Sequence, residues 1–127
     1  MPELNRLHIT RIVALSTALD TVQWPDGCLV FRVAPDEAWV TPPAPDLTID
    51  DPHAIIISDA SNMSCWIAMD EALEFLEHSC EWELPLARPA LAQGAVAGIP
   101  TKLWFEEDYV LFIVPAPYSA DFEERLA

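Results

Sequence analysis

Ala54–Ser61 (AIIISDAS), Met63–Met69 (MSCWIAM) and Asp70–Ser79 (DEALEFLEHS) follow one another directly. After a proline-bearing connector and two further extended segments, the chain closes on Pro117–Leu126 (PYSADFEERL). Two apolar strand pairs, each followed by a helix, describe an α+β domain: an antiparallel sheet with two helices packed on it. The three consecutive isoleucines, Ile55 to Ile57, suit a strand buried on both faces within His53–Ser58. Asp59, Ala60, Ser61 and Asn62 read as a turn whose side chains bond their own backbone, which makes 63–69 the returning arm of a hairpin. Asp70 has the chemistry of an N-cap, with Glu71 and Glu74 favoured by the positive end of the helix dipole. Ala72, Leu73, Leu76 and Cys80 recur at helical spacing as a buried stripe, with Phe75 at its edge and Glu71, Glu74 and Glu77 on the solvent side.

Outward from this stretch the pattern continues. Residues 81–93 carry Pro85 and Pro89 and read as loop. Residues 94–105 hold two extended pieces bent around Gly98, Ile99 and Pro100. Glu106, Glu107 and Asp108 form a polar hairpin turn before a buried strand over 109–114. Ser119 is placed to cap the last helix, whose Phe122 and Leu126 face inward with Tyr118 one turn earlier. Asp121 and Arg125 are an i,i+4 pair worth a few tenths of a kcal/mol at about 0.3. On the N-terminal side, Leu7, Ile9, Val13 and Leu15 share one parity, interrupted by Arg11, while Ile12 and Ala14 supply the other face of a strand over 7–15. Trp24, Pro25, Asp26 and Gly27 make a turn before strands over 28–33 and 38–41, and Pro42, Pro43, Ala44, Pro45 and Asp46 form a stiff loop that cannot sustain a hydrogen-bond ladder.

The 127 residues suit one domain spanning 1–127. A hydrophobic content of 52% with five tryptophans is that of a chain with a packed core. The start, MPELNRLHITRIVALSTALD, faintly imitates a secretory leader, but Thr10 and Arg11 break its apolar run, and the expected location is the cytoplasm. Three cysteines, Cys28, Cys65 and Cys80, lack paired spacing and read as reduced thiols. The strongest compositional feature is charge: 21 acids against six bases, net -15. Between Arg32 and Arg88 there is no Lys or Arg, while Asp36, Glu37, Asp46, Asp50, Asp51, Asp59, Asp70, Glu71, Glu74, Glu77, Glu81 and Glu83 fall there. Such a surface repels nucleic-acid backbones and anionic membranes and suits a basic protein partner.

Chemistry-bearing patterns are few. His78, Ser79 and Cys80 invite a metal or nucleophile reading, yet the next Cys and His, Cys65 and His53, stand at no recognised ligand spacing. His78 in a last helical turn complements the dipole, and its side chain diverges from that of Cys80. Asp36 and Glu37 could mimic a general acid/base pair, but adjacent carboxylates in a turn are ordinarily solvated. Gly27, Gly94 and Gly98 are isolated and form no phosphate-cradling loop. Trp66 and Trp104, within strands, are expected in the core; Trp24, Trp39 and Trp82 fall in loop or edge contexts, where exposed indoles would mark an interface. No catalytic residue, cofactor-binding residue or metal ligand is therefore assigned.

Laid out in this way, the chain resembles the gamma subunit of heterotetrameric sarcosine oxidase, itself related in fold to the folate-binding aminomethyltransferase of the glycine cleavage system. Pro35-Asp36-Glu37-Ala38-Trp39-Val40 is similar to the family's Pro-Asp-Glu-x-Trp-Leu strand opening, and Ile57-Ser58-Asp59 to its Val-Ser-Asp segment. Asp70 to Leu76 is similar to its Gly-Pro-x-Ala-x-x-x-Leu helix start without the Gly-Pro. His78 to Leu84 resembles its Gly-Cys-Pro-x-Asp-Leu, and 94–104 with 110–126 resemble the closing strands and Pro-x-Ser-x-Ala-Asp helix. The likeness covers about residues 28–126. It implies an aminomethyltransferase-like (folate-binding-type) domain, and a non-catalytic accessory subunit of one-carbon metabolism docked on larger flavin-dependent subunits, which hold the flavin, nicotinamide and folate sites. Two other functions are compatible with the chain. One is a small folate-binding module or one-carbon enzyme working as a homodimer, which would need Arg32, Arg88 or Lys102 to converge on the anionic ligand. The other is an acidic protein-interaction module.

Overall fold

The computed structural model describes residues 3–127; Met1 and Pro2, the first residues of the leader-like start, lie outside them. The protein is a small α+β protein of antiparallel strands with three α-helices among the described residues. Its strands are β1 (Asn5–Val13), β2 (Leu29–Ala34), β3 (Glu37–Thr41), β4 (Ile55–Ala68), β5 (Ala90–Val96), β6 (Ile99–Phe105) and β7 (Tyr109–Pro115). Its α-helices are α1 (Ser16–Asp20), α2 (Met69–Ser79) and α3 (Ser119–Leu126), the last entered through a 3₁₀ turn over Ala116–Tyr118. No helix among the described residues is long and apolar enough to cross a membrane. Two compact units emerge: one from the described residues up to Leu7 together with Ser61–Ala127, the other from His8–Ala60.

In the larger unit the strand order is β4-β7-β6-β5, all antiparallel. The run Val110–Val114 is buried throughout, as expected for a strand this apolar. Val110, Phe112 and Val114 share a core with Ala72 and Leu76 of α2 and Phe122 of α3. Phe75, Phe112 and Phe122 meet as a triad, with ring centroids 6.0, 6.0 and 5.8 Å apart in tilted and edge-on geometries that favour aromatic pairs. Leu126 packs against this core from the last turn of α3, whereas Tyr118 is exposed.

Several expectations need correction here. The residues 59–62 make no turn: β4 runs unbroken for 14 residues, and Asn62 is paired opposite Pro115. Turn-favouring side chains do not forbid an extended backbone, and from Asn62 onward the strand is paired with β7. Ile55 to Ile57 are consequently exposed on this strand rather than buried on both faces. Asp70 is not an N-cap. The cap position is Ala68, without a side-chain cap, and the Met69 N–H instead donates to the Asp108 carbonyl at 2.8 Å, so the β6–β7 turn serves the helix start. Ser119 likewise lies inside α3 and caps nothing. Leu73 is 40% exposed; it follows Ala72 by about 100° around the helix, which carries it off a stripe centred on Ala72, Phe75 and Leu76. The expected loop over 81–93 ends early, because β5 begins at Ala90 opposite Phe105.

The smaller unit orders its strands β2-β3-β1, antiparallel, with a bulge between Arg32 and Ala34. Its core is Ile12, Ala14, Leu19, Ala38 and Val40, flanked by Trp24, Val30, Leu47 and Ile49. The buried Thr10 hydroxyl accepts from the Ala44 N–H at 2.8 Å, anchoring the proline loop. The first strand ends at Val13, two residues short of expectation; Leu15 is exposed and leads into α1. Helix α1 is a third helix that periodicity did not announce, since five residues span little more than one turn.

The β5–β6 hairpin turns on Ala97 and Gly98, both at positive φ (52° and 77°). This two-residue geometry matches strand twist but penalises a Cβ, so Gly98 sits at ease and Ala97 does not. The Ala97 N–H donates to the Ser79 carbonyl at 2.7 Å, tying the hairpin tip to the end of α2. Ala97→Asn should therefore raise the unfolding free energy by about 0.5–1 kcal/mol in a urea titration. Phe122→Ala should lower it by about 3–5 kcal/mol, whereas Leu73→Ala at the exposed position should stay within about 0.5 kcal/mol of wild type.

Candidate functional site

The side chains singled out by sequence are distributed by the fold as follows. His78 is exposed in the last turn of α2, where a cation complements the carbonyl end of the dipole. The Cys80 thiol donates to the Trp82 carbonyl at 3.4 Å, and the Cys28 thiol to the Pro25 carbonyl at 2.8 Å. Cys28, Cys65 and Cys80 are all free, and among the described residues no group of His, Cys, Asp or Glu converges as a metal set would. Cys65 is buried in the core facing the helices. Burial, and secondarily the Glu123 carboxylate, push its thiol up to about 11. A thiol held protonated in this way is a packing group and a poor nucleophile.

Asp36 and Glu37 do not form an acid/base pair. The Asp36 carbonyl accepts from the Ala14 N–H at 3.0 Å. The Glu37 carboxylate is ion-paired with Arg11, whose Nε donates to Oε2 at 2.9 Å, and the Trp39 indole N–H donates to the same oxygen at 2.8 Å. The cross-strand register makes this assembly, placing Arg11 opposite Trp39 and Val13 opposite Glu37. It is a partly buried clip between β1 and β3.

The tryptophans invert the expectation. Trp39, thought to be an edge residue, is buried; Trp66, thought to be core, is 44% exposed; Trp104 is half-buried, its N–H donating to Glu106 at 3.0 Å. Strand membership alone does not say which face is covered. Trp24 and Trp82 are half-buried.

Of the basic residues proposed to meet an anionic ligand, Arg32 and Arg88 are engaged elsewhere. Arg32 donates to the carbonyls of Pro35 and Ser16 and pairs with Asp20 at 3.0 Å. Arg88 donates to the carbonyls of Pro85 and Ala87 and lies 4.7 Å over the Phe105 ring. Lys102 lies on β6 opposite Gln93 and Ile113.

Two recesses carry titratable side chains singled out above. In the larger unit a recess of 530 Å³ is bordered by His78, Glu81, Trp82, Ala97 and Arg125. Its Trp82 wall is fixed: the indole N–H donates to the Ala95 carbonyl at 2.8 Å and the ring lies over Gly94, where a Cβ would come within 2.6 Å. Its lining holds both signs of charge, Arg125, which is paired with Asp121 at 3.6 Å, and Glu81. In the smaller unit a groove of 670 Å³ runs past Leu15, Asp36, Asp51, His53 and Ile55. Asp51 accepts from the N–H groups of Leu15 (3.0 Å) and His53 (2.9 Å), and these two bonds hold its carboxyl below the ordinary 3.8. Local sequence pattern does not reveal this groove because its walls come from three separate segments, 13–16, 35–36 and 51–55.

Neither protein-family models nor curated proteins yield a match to this chain.

The Cys65 thiol carries a pH signature. Its folded pKa, about 11, lies above the 9.0 of an unperturbed thiol, so the folded state retains a proton that the unfolded chain releases. The stabilisation is complete below pH 9 and is lost as pH rises toward 11. Urea midpoints across that window should fall in the wild type, and fall less in Cys65→Ala.

Proposed function

We propose that the chain is a cytoplasmic, non-catalytic accessory subunit, similar to the gamma subunit of sarcosine oxidase, which docks through its acidic surface on larger flavin-dependent subunits of one-carbon metabolism. The aminomethyltransferase-like form of its α+β fold belongs to the same proposal, and no cofactor is assigned to the chain itself. The observation that carries the reading is the disposition of charge. Of six bases, Arg11, Arg32 and Arg125 are ion-paired within the fold, and Arg88 is held by carbonyls and a ring. The 21 acids therefore give the outer surface a strongly negative field. Such a field steers a basic protein into contact and fixes its orientation more than it sets the final affinity. It opposes polyphosphate backbones and anionic membranes.

The test is purification of the tagged chain from its native cell at low salt. The expected result is a complex containing a larger protein with flavin absorbance, dissociating as salt is raised through the physiological range. Recovery of the chain alone would overturn the proposal. Recovery with a basic partner that lacks flavin would replace it with an acidic protein-interaction module.

A further inference from the structure

Ile55, Ile56 and Ile57 are 54%, 37% and 46% exposed. Successive side chains on a strand point to opposite faces, so this short segment of β4 holds large apolar groups in water on both of its faces. Each of the three therefore leaves roughly half of its side chain in water, a hydrophobic gain that the free chain realises only in part. Clustered exposure of this kind marks an interaction surface. The groove in the same unit extends it, bringing the exposed Leu15 beside Ile55.

The surroundings say what chemistry would cover it. Asp36 and Asp51 line the groove, Asp50 is exposed one residue away, and no Lys or Arg occurs between Arg32 and Arg88. Asp51 is held ionised by its two backbone N–H donors. A second copy of the chain would bring the same acids, and a net -15, against them; like charges placed face to face oppose that pairing. A partner with its own apolar centre and a Lys/Arg rim satisfies both features.

We propose that Ile55–Ile57, with Leu15 and the groove bounded by Asp36 and Asp51, form the surface by which this chain docks on its larger partner, and that the occupant is a protein segment whose apolar side chains are flanked by Lys or Arg. This rests on the accessory-subunit reading and adds the place of contact to it. The acids then have a second role, keeping an exposed apolar strand from pairing with other copies before the partner arrives.

The test uses the full chain and the flavin-bearing partner recovered with it. Ile55→Thr with Ile57→Thr, which keeps β-branched residues on the strand, should weaken the complex at least about tenfold, equivalent to about 1.4 kcal/mol. Asp36→Asn with Asp50→Asn should flatten the salt dependence of Kd, and Leu73→Thr on α2 should change neither. Hydrogen exchange of the wild-type complex should show protection at residues 55–57, a readout that needs no variant to fold. A complex that forms normally with the double isoleucine variant and leaves 55–57 unprotected overturns the docking surface and leaves the accessory-subunit reading intact. Self-association of the free chain abolished by the same variant would assign the surface to a second copy and overturn the proposal. A wild-type chain that brings down no flavin-bearing partner removes the accessory-subunit reading, and the surface falls with it.

Discussion

Strand β7 is hydrogen-bonded on both sides, to β4 along Asn62–Ala68 and to β6 along Lys102–Phe105. Its Phe112 is the point at which α2 and α3 meet the sheet, through Phe75 and Phe122. With the helices located by that triad, the remaining ties in the larger unit follow. The β6–β7 turn offers the Asp108 carbonyl to the start of α2, and the β5–β6 turn offers the Ala97 N–H to its end. Each hairpin tip therefore serves one end of the same helix, and one of the polar groups left over at each terminus is met by backbone.

The parts of this structure legible in sequence are those whose signal is local. Tyr109–Pro115 is apolar enough to read as a strand whatever lies beside it, and the i, i+3, i+4 spacing of Ala72, Phe75 and Leu76 places α2 closely. The polar hairpin turn before Tyr109 and the Asp121–Arg125 pair are likewise short-range features. What local pattern could not supply is the identity of distant neighbours. Asp59 to Asn62 have turn chemistry, yet a partner strand some fifty residues later, ending at Pro115, holds Asn62 extended. Trp39 and Trp66 are both strand tryptophans. One finds an acceptor on Glu37 and a cover; the other faces solvent. The candidate site fared in the same way. Asp36 and Glu37 were visible as adjacent acids, but only the pairing of β1 with β3 shows Glu37 bound to Arg11, and the groove beside Asp51 is assembled from segments spread over forty residues, from Val13 to Ile55.

Charge has two distinct uses in this chain. The scarce bases act inside the units as fasteners: Arg11 across β1 and β3, Arg32 onto Asp20 and two carbonyls, Arg88 over Phe105. The abundant acids lie mostly at exposed positions. Asp70 and Glu71 stand in the first turn of α2, where the dipole favours them. Most others have no such compensation, and their mutual repulsion works against the compact state. At net -15 the compact state is held against this repulsion by its buried apolar core.

Trp82 occupies the space over Gly94 that any side chain there would claim. The two positions consequently form one unit of variation. A lineage of this protein can exchange the indole for a smaller group and then admit alanine at position 94, but the reverse order meets an obstructed intermediate. The wall of the recess next to α2 is thus preserved by the order in which its two residues are able to change.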